Sequence, residues 1–284
     1  MVQTIVSSPT REVLISDGKP TVLIGERINP SGRKKLAESL KSGDFELACK
    51  EAIAQVEAGA DILDVNVASP GIDEIAVLPK VVQKVMASVD VPLCIDTKNP
   101  GALKEALKVY KGKPIVNSVT GEDNSLNEIL PLVKEYGAAV IGLTIDEEGI
   151  PKDSGRRVAI AYKIIERAES LEIPTEDVII DCLALTVGAD TNAALVTLEA
   201  IRKVREELGV NQTLGASNIS YGLPGRNLVN HTFLAMAILS GVTCPTVDVA
   251  KVRPAVLSID LILGRDRFAQ RYMRDFRQRK SQKE

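Results

Sequence analysis

The stretch PLCIDTKNPGALKEALKVYKGKPIVNSV, residues 92–119, predicts two strands separated by one helix. Its ends, PLCIDT and PIVNSV, are apolar runs of strand length. Between them, apolar residues recur every three or four positions in PGALKEALKVYKG, which is the period of an amphipathic helix. Pro100 fits the first turn of that helix, and Asn99 fits its N-cap. The stretch therefore predicts one parallel strand–helix–strand unit.

The same unit repeats along the whole chain. Its apolar runs are rich in Val, Ile and Leu, which is typical of parallel strands that are buried on both faces. Gly59 and Gly209 fit the C-terminal caps of two of the intervening helices. Eight strand–helix repeats predict an α/β fold, a (β/α)8 TIM barrel in a single domain. A doubly wound open sheet is the alternative, but no G-x-G-x-x-G follows the first strand. The eight runs are TVLIGERIN, DILDVNV, PLCIDT, PIVNSV, AAVIGLTI, DVIIDCLAL, TLGASN and TCPTVDV.

Length and composition agree with this architecture. A chain of 284 residues with 45% hydrophobic residues suits one α/β barrel, and we expect residues 1–20 to form an N-terminal arm before a barrel of residues 21–284. The formal charge is −3 without a basic stripe, which disfavours nucleic acid as a partner. The locally basic RYMRDFRQRK is interpreted as a solvated helix end.

The cysteines and the apolar segments indicate where in the cell the protein is located. Four cysteines lie far apart without a C-x-x-C pair, so neither a metal-ligand set nor a disulfide framework is expected. No signal pattern and no membrane-spanning stretch is found in the sequence. We expect a cytoplasmic protein without a bound metal ion.

Polar residues follow the predicted strands, at the carboxyl end of the barrel, where the active sites of such barrels lie. Carboxylates and carboxamides dominate, and they suit a neutral ligand with many N–H donors, such as a 2-amino-4-oxo-pteridine or a guanine-like base. Because each unmatched buried polar group costs about 1–3 kcal/mol, such a site discriminates strongly. The residues are Glu26, Arg27, Asn29, Asp64, Asn66, Asp96, Asn117, Asp181, Asn218 and Asp248.

A strand-end Asp can instead be the N-cap of the next helix. Asn99 is the better cap after Asp96, which leaves Asp96 for a ligand. Asp181 lies in the apolar run IIDCLAL, where an unpartnered carboxylate would be costly. Glu26 and Arg27 fit either an internal ion pair or a ligand contact, and His231 fits a packing or capping role on a helix.

Eight ordered segments resemble the methyltetrahydrofolate:corrinoid protein methyltransferase family, which is related to the folate domain of cobalamin-dependent methionine synthase and to dihydropteroate synthase. They are IGERIN, LDVN, LCIDTKN, IVNS, IGLT, GIPKD, IIDCL and GASNIS, and the similarity spans about residues 22–276. The resemblance implies a homodimer that takes tetrahydrofolate or 5-methyltetrahydrofolate as substrate, and a corrinoid carried by a separate protein. The chain itself lacks the D-x-H-x-x-G sequence of corrinoid carriers.

The resemblance also implies roles for individual residues. Asp181 would accept hydrogen bonds from the pterin N3–H and 2-amino group, Asp96 and Asn117 would bind other edges of the pterin, and Asn218 would approach N5. Arg226 would lie near the glutamate tail of the ligand. Further possible ligand contacts are Glu26, Asp64, Asn66 and Ser220.

Two alternatives stay beside this interpretation. Dihydropteroate synthases place Arg and Lys after the serine that corresponds to Ser217, and an Arg–x–His near strand eight. Here Asn218 and Ile219 follow Ser217, and strand eight reads TVDVAKVR. A non-catalytic folate-binding or corrinoid-docking subunit is the other alternative, which the retained polar residues disfavour.

The catalytic hypothesis concerns Asn218. A methyl group on a tertiary amine is a poor electrophile until N5 is protonated, because the leaving group would otherwise be a strongly basic anion. Asn218 would bind protonated N5 more strongly through its amide oxygen and so stabilise the transition state. Either direction of methyl transfer fits this sequence.

Overall fold

Eight parallel strands pair side by side in the computed structural model, which describes residues 2–281. The strands are β3 (Ile24–Ile28), β4 (Ile62–Asn66), β5 (Leu93–Asp96), β6 (Ile115–Thr120), β7 (Ala139–Leu143), β8 (Val178–Asp181), β9 (Gln212–Thr213) and β10 (Thr246–Val247). They pair in the order β10-β3-β4-β5-β6-β7-β8-β9, and a parallel bridge between Gly215 and Thr246 joins the two ends of the sheet. The predicted (β/α)8 barrel is therefore confirmed.

Helices alternate with the strands along the chain. Short 3-10 turns cover Thr175–Asp177, Ala216–Ser220 and Arg267–Ala269. The helices are α1 (Lys34–Lys41), α2 (Glu46–Glu57), α3 (Glu74–Ser88), α4 (Pro100–Val109), α5 (Asp123–Tyr136), α6 (Ser154–Ser170), α7 (Ala193–Glu207), α8 (Arg226–Ser240), α9 (Val249–Ile262) and α10 (Gln270–Ser281).

Local signals in the sequence set the helix ends. The Asn99 side chain accepts hydrogen bonds from the backbone N–H groups of Gly101 and Ala102, at 2.9 and 3.2 Å, and Pro100 is the first residue of α4. Gly59 and Gly209 follow α2 and α7 with φ of +96° and +64°, a backbone region that favours glycine. These four predictions are confirmed.

The core has two parts. One lies between the sheet and the surrounding helices, and the other fills the barrel interior with small and branched side chains such as Ile24, Ile62, Ile115 and Ile179. All four are fully buried. Burying one such side chain contributes about 1.5–3 kcal/mol, so the barrel is a packed scaffold that fixes the positions of the strand ends.

An antiparallel hairpin, β1 (Thr4–Ser7) and β2 (Glu12–Ile15), precedes the barrel. The backbone N–H of Ser7 donates to the Lys113 carbonyl at 2.9 Å, and the Asn211 amide donates to the Ile15 carbonyl at 2.9 Å. Lys113 and Asn211 precede β6 and β9, so the hairpin covers the amino-terminal end of the barrel. Residues 1 and 282–284 of the proposed arm and barrel domain lie outside the described residues.

Candidate functional site

Three neighbouring strands carry polar residues side by side towards their carboxyl ends, although β6 continues past Asn117 to Thr120. Asn66 of β4 pairs in register with Asp96 of β5, and Asp96 pairs with Asn117 of β6. Asp64 lies two residues before Asn66 on β4, and its Oδ1 accepts a hydrogen bond of 3.0 Å from the Asn117 amide nitrogen. The structure thus brings four of the predicted site residues together at the carboxyl end of the barrel, on one side of its mouth.

Asp64 and Asp96 are two carboxyl groups in one buried cluster. Burial and the neighbouring charge of Asp96 raise the pKa of Asp64 well above its usual range, although the Asn117 hydrogen bond lowers it. Burial also raises the pKa of Asp96, against a lowering by its hydrogen bond with Asn66. Two buried carboxyl groups that interact in this way favour sharing a proton, so the pair offers both an acceptor and a donor to a ligand.

Asp181 is the last residue of β8 and is buried. Its Oδ1 accepts a hydrogen bond of 2.7 Å from the backbone N–H of Leu183. Burial raises the pKa of Asp181 to about 6, while hydrogen bonds from the backbone of Leu183 and Gly215 lower it. The group is therefore mainly ionised at neutral pH and can accept two N–H donors.

Asn218 lies beyond the end of its strand, on a turn. The prediction that it ends strand seven is wrong, because β9 stops at Thr213 and residues 216–220 form a single 3-10 turn. The turn forms after Gly215, whose carbonyl accepts from the backbone N–H of Asn218 at 3.3 Å. Asn218 is exposed at the mouth of the barrel, where an amide can meet a ligand.

The turn is held from α8. The Nε of Arg226 donates to Oγ of Ser220 at 2.9 Å, and its Nη2 donates to the Ser217 carbonyl at 2.8 Å. Ser220 is fully buried, whereas Arg226 is exposed. Of the five possible ligand contacts predicted from sequence, Ser220 is thus engaged within the protein, and Arg226 spans the turn that carries Asn218.

A cavity of about 190 Å³ adjoins this turn. Glu26, Arg226, His231 and Lys251 line it, together with Asp248. Burial and the charge of Asp248 raise the pKa of Glu26 to about 7. His231 lies on α8 with its Nε2 3.1 Å from the Lys251 carbonyl oxygen, so it links α8 to α9.

A direct Glu26–Arg27 pair, one of the two sequence interpretations, is wrong. Arg27 instead bonds Glu51 of α2, at 2.8 Å between Nε and Oε2, and Asp248, at 3.2 Å between Nη1 and Oδ2. Glu26 is left facing the cavity, and Asn29 accepts from the backbone N–H of Ser31 at 2.9 Å.

Arg157 was not among the predicted site residues, yet it contacts the backbone of the two residues that follow Asp181. It is 1% exposed and bonds the carbonyl oxygens of Cys182 and Leu183. A signal was present in the sequence, since Arg157 falls on the stripe of α6 that buries Val158, Ala161 and other small or apolar residues. A charged residue on a buried helix face needs a polar partner inside the protein.

Two further features concern residues 2–281 alone. Within that range, no group of three or more His, Cys, Asp or Glu side chains is arranged to hold a metal ion. Across the same residues, no helix has the length and apolar character required to cross a membrane.

Solved structures share the fold. A dihydropteroate synthase of Yersinia pestis, solved with a pterin–sulfa conjugate, superimposes with a TM-score of 0.71 at 16% identity, over 91% of this chain and 98% of its own. The dihydropteroate synthase of Thermus thermophilus superimposes with a TM-score of 0.65 at 22% identity, over 91% of this chain and 99% of its own. At these identities the likeness establishes the barrel fold.

Sequence relatives are more specific. The methylcorrinoid:tetrahydrofolate methyltransferase of Eubacterium limosum is 30% identical over 91% of this chain and 97% of its own length. The methionine synthase of Mycobacterium tuberculosis is 30% identical over 88% of this chain, which spans 22% of that longer protein. The sequence profile of the pterin binding enzymes matches residues 25–248. The chain therefore belongs to the pterin binding enzymes and, among them, to the family of methyltransferases that includes the Eubacterium limosum protein.

Proposed function

We propose that this enzyme transfers a methyl group between N5 of tetrahydrofolate and the cobalt of a corrinoid bound to a separate protein. The name of the Eubacterium limosum relative supports this substrate pair. The observation that carries the proposal is the exposed Asn218 amide on the turn that follows β9, because β9 pairs with β8 and β8 ends at the buried carboxyl group of Asp181.

Pterin recognition is assigned to the deep part of the site. An ionised Asp181 matches the adjacent N3–H and 2-amino donors of the pterin, and hydrogen bonds to a charged acceptor contribute more than neutral ones. The Asp64–Asp96 pair, which favours sharing one proton, suits pterin edges that present both a donor and an acceptor, and Asn117 completes that edge. Because these groups are buried, a ligand that leaves them unpaired binds poorly.

Methyl transfer requires a good leaving group at N5. The C–N bond breaks as the methyl carbon accepts an electron pair from the cobalt, and N5 keeps the bonding pair. Protonated N5 leaves as a neutral amine, and the Asn218 amide oxygen accepts a hydrogen bond from that proton. Since the bond strengthens as N5 gains the proton, it lowers the barrier rather than merely tightening binding.

The exposed mouth suits a reaction partner that docks from outside. Tyr221, next to the Asn218 turn, is 71% exposed. The corrinoid reaches N5 from this side when its carrier protein covers the mouth. Catalysis lowers the barrier in both directions, so the pathway in which the enzyme works determines the net flow of methyl groups.

The test is an absorbance assay. Purified enzyme is mixed with 5-methyltetrahydrofolate and cob(I)alamin, and separately with tetrahydrofolate and methylcobalamin, with and without candidate corrinoid proteins. We expect pterin-dependent conversion between the two cobalamin spectra. An enzyme that binds the pterin but converts neither mixture would overturn the proposal. Formation of dihydropteroate from p-aminobenzoate and the pterin diphosphate would support the synthase alternative instead.

A further inference from the structure

We propose that Arg157 is a positioning residue for pterin binding: its buried guanidinium fixes the backbone after Asp181 and supplies a positive charge near the Asp181 carboxylate. This inference rests on the proposed function, in which Asp181 accepts hydrogen bonds from the pterin. It adds a residue that lies outside the mouth and does not touch the substrate.

The contacts of Arg157 connect two loops at the mouth. Its Nε donates to the Pro151 carbonyl at 2.8 Å, in the segment between β7 and α6. Its Nη1 donates to the carbonyls of Cys182 and Leu183, at 2.7 and 2.8 Å, directly after β8. Its Nη1 also donates to the Thr197 hydroxyl oxygen at 3.0 Å, so every acceptor is a neutral oxygen. The side chain therefore holds the exit of the Asp181 strand against the preceding loop.

The backbone held in this way has an unusual conformation. Leu183 has φ of +60°, in the left-handed region that residues with a side chain rarely adopt. Its carbonyl receives hydrogen bonds from Arg157 and from the Thr197 hydroxyl, the latter at 3.0 Å. The same residue turns its N–H toward Oδ1 of Asp181. Arg157 thus maintains the turn that orients the carboxylate.

The positive charge of Arg157 is its second contribution to pterin binding, because it favours the ionised form of Asp181. The charged and titratable groups near the Asp181 carboxyl are Arg157 from α6 and the thiols of Cys182 and Cys244. Burial raises the pKa of both thiols, that of Cys244 to about 12, so both stay neutral. Because Arg157 has the only formal charge in this group, removing it should make ionised Asp181 less favourable.

The experiment measures the dissociation constant of 5-methyltetrahydrofolate between pH 5 and 8.5. The intact protein is compared with Arg157→Gln and with Arg156→Gln, a matched control that removes one charge from the adjacent residue. Arg156 is partly exposed and pairs with Asp146 and Glu148 in the segment between β7 and α6. We expect wild type and Arg156→Gln to lose affinity below about pH 6, the pKa of Asp181.

Arg157→Gln should bind about tenfold more weakly at pH 7.5, and the pH at which affinity is lost should rise by about one unit. Arg157→Lys keeps the charge but cannot span the same carbonyls, so it should lose affinity with a smaller shift in pH. A purely structural role would weaken binding without moving the pH midpoint.

The outcomes separate the two proposals. Failure of the wild type to bind the pterin would reject the proposed function. Normal wild-type binding with an unshifted midpoint in folded Arg157→Gln would overturn this inference alone. Should Arg157→Gln not fold, Arg157→Lys decides, and wild-type affinity in that variant would also overturn it.

Discussion

The Arg226 guanidinium donates to the Ser220 hydroxyl at 2.9 Å and, through a second nitrogen, to the Ser217 carbonyl at 2.8 Å. Asn218 lies between the two anchored serines. A side chain from the first turn of α8 therefore determines how the proposed catalytic amide is presented.

Removing either partner of this contact should impair methyl transfer. We expect Arg226→Gln and Ser220→Ala each to slow transfer by about tenfold, and the double variant to be little worse, because both changes release the same turn. Transfer rates with a 5-methyl-tetrahydropterin that lacks the benzoylglutamate tail provide the measurement. The control is Arg202→Gln, which changes an exposed side chain of α7. Defects that disappear with the truncated pterin would show that Arg226 acts on the tail instead.

Asn218→Ala should slow methyl transfer by about 10²–10³-fold, the usual effect of losing one transition-state hydrogen bond. Since Asn218 is exposed, thermal stability should not change. Single-turnover kinetics with cob(I)alamin measures the effect, and Asn124→Ala, another exposed asparagine on the first turn of α5, is the matched control. Wild-type single-turnover rates in Asn218→Ala would refute the role of Asn218.

Asp181→Asn should remove most pterin affinity and its pH dependence together. The amide can still accept from Leu183, but it lacks the charge and offers N–H groups to pterin donors. We expect at least about 100-fold weaker binding at pH 7.5, since charged hydrogen bonds contribute about 1.5–3 kcal/mol each. Calorimetric titration with 5-methyltetrahydrofolate is the measurement. A variant that binds as well as wild type would exclude Asp181 from the pterin site.

The same substitution should stabilise the fold at alkaline pH. The pKa of Asp181 is raised from 3.8 to about 6, so the ionised group favours the unfolded chain. Wild-type stability should therefore fall relative to Asp181→Asn as pH rises from about 4 through 6, by up to about 3 kcal/mol at pH 8. Denaturant unfolding at pH 4, 6 and 8 measures this difference.

Asp123 provides the opposite control for that measurement. Its carboxylate pairs with Lys163, 2.8 Å from Nζ to Oδ1, and this pair lowers its pKa. Asp123→Asn should therefore not stabilise the protein at pH 8. If the free energy of unfolding depended on pH equally in wild type and Asp181→Asn, the pKa of Asp181 would not be raised in the folded protein.

Local chemistry explains why much of the fold could be predicted from sequence. The Asn99–Pro100 pair defines the start of α4 because a cap and a proline act on backbone groups two or three residues away. The continuous apolar runs predict the barrel strands for a similar reason, since a strand that is buried on both faces has apolar residues at successive positions. The polar residues that end β4, β5 and β8 followed from the strand boundaries alone, whereas β6 continues past Asn117 to Thr120.

Other parts of the site depend on long-range contacts. The partners of Arg27 are Glu51 and Asp248, 24 and 221 residues away, and nothing in the sequence near Arg27 indicates them. The Asn218 turn depends on Arg226, and the Asp181 exit depends on Arg157 from another helix. Apolar patterns specify which face a residue occupies, whereas hydrogen-bond partners are decided by the packing of distant segments.

The hairpin at the amino-terminal end has a practical consequence for studying the partner protein. It occupies the end of the barrel opposite Asn218, and its residues Val6, Val13 and Ile15 are buried against the barrel interior. A fusion or surface tether attached on the hairpin side would therefore orient the enzyme with its mouth toward solution. Immobilised in that way, the protein presents a defined face to a corrinoid carrier flowing past it.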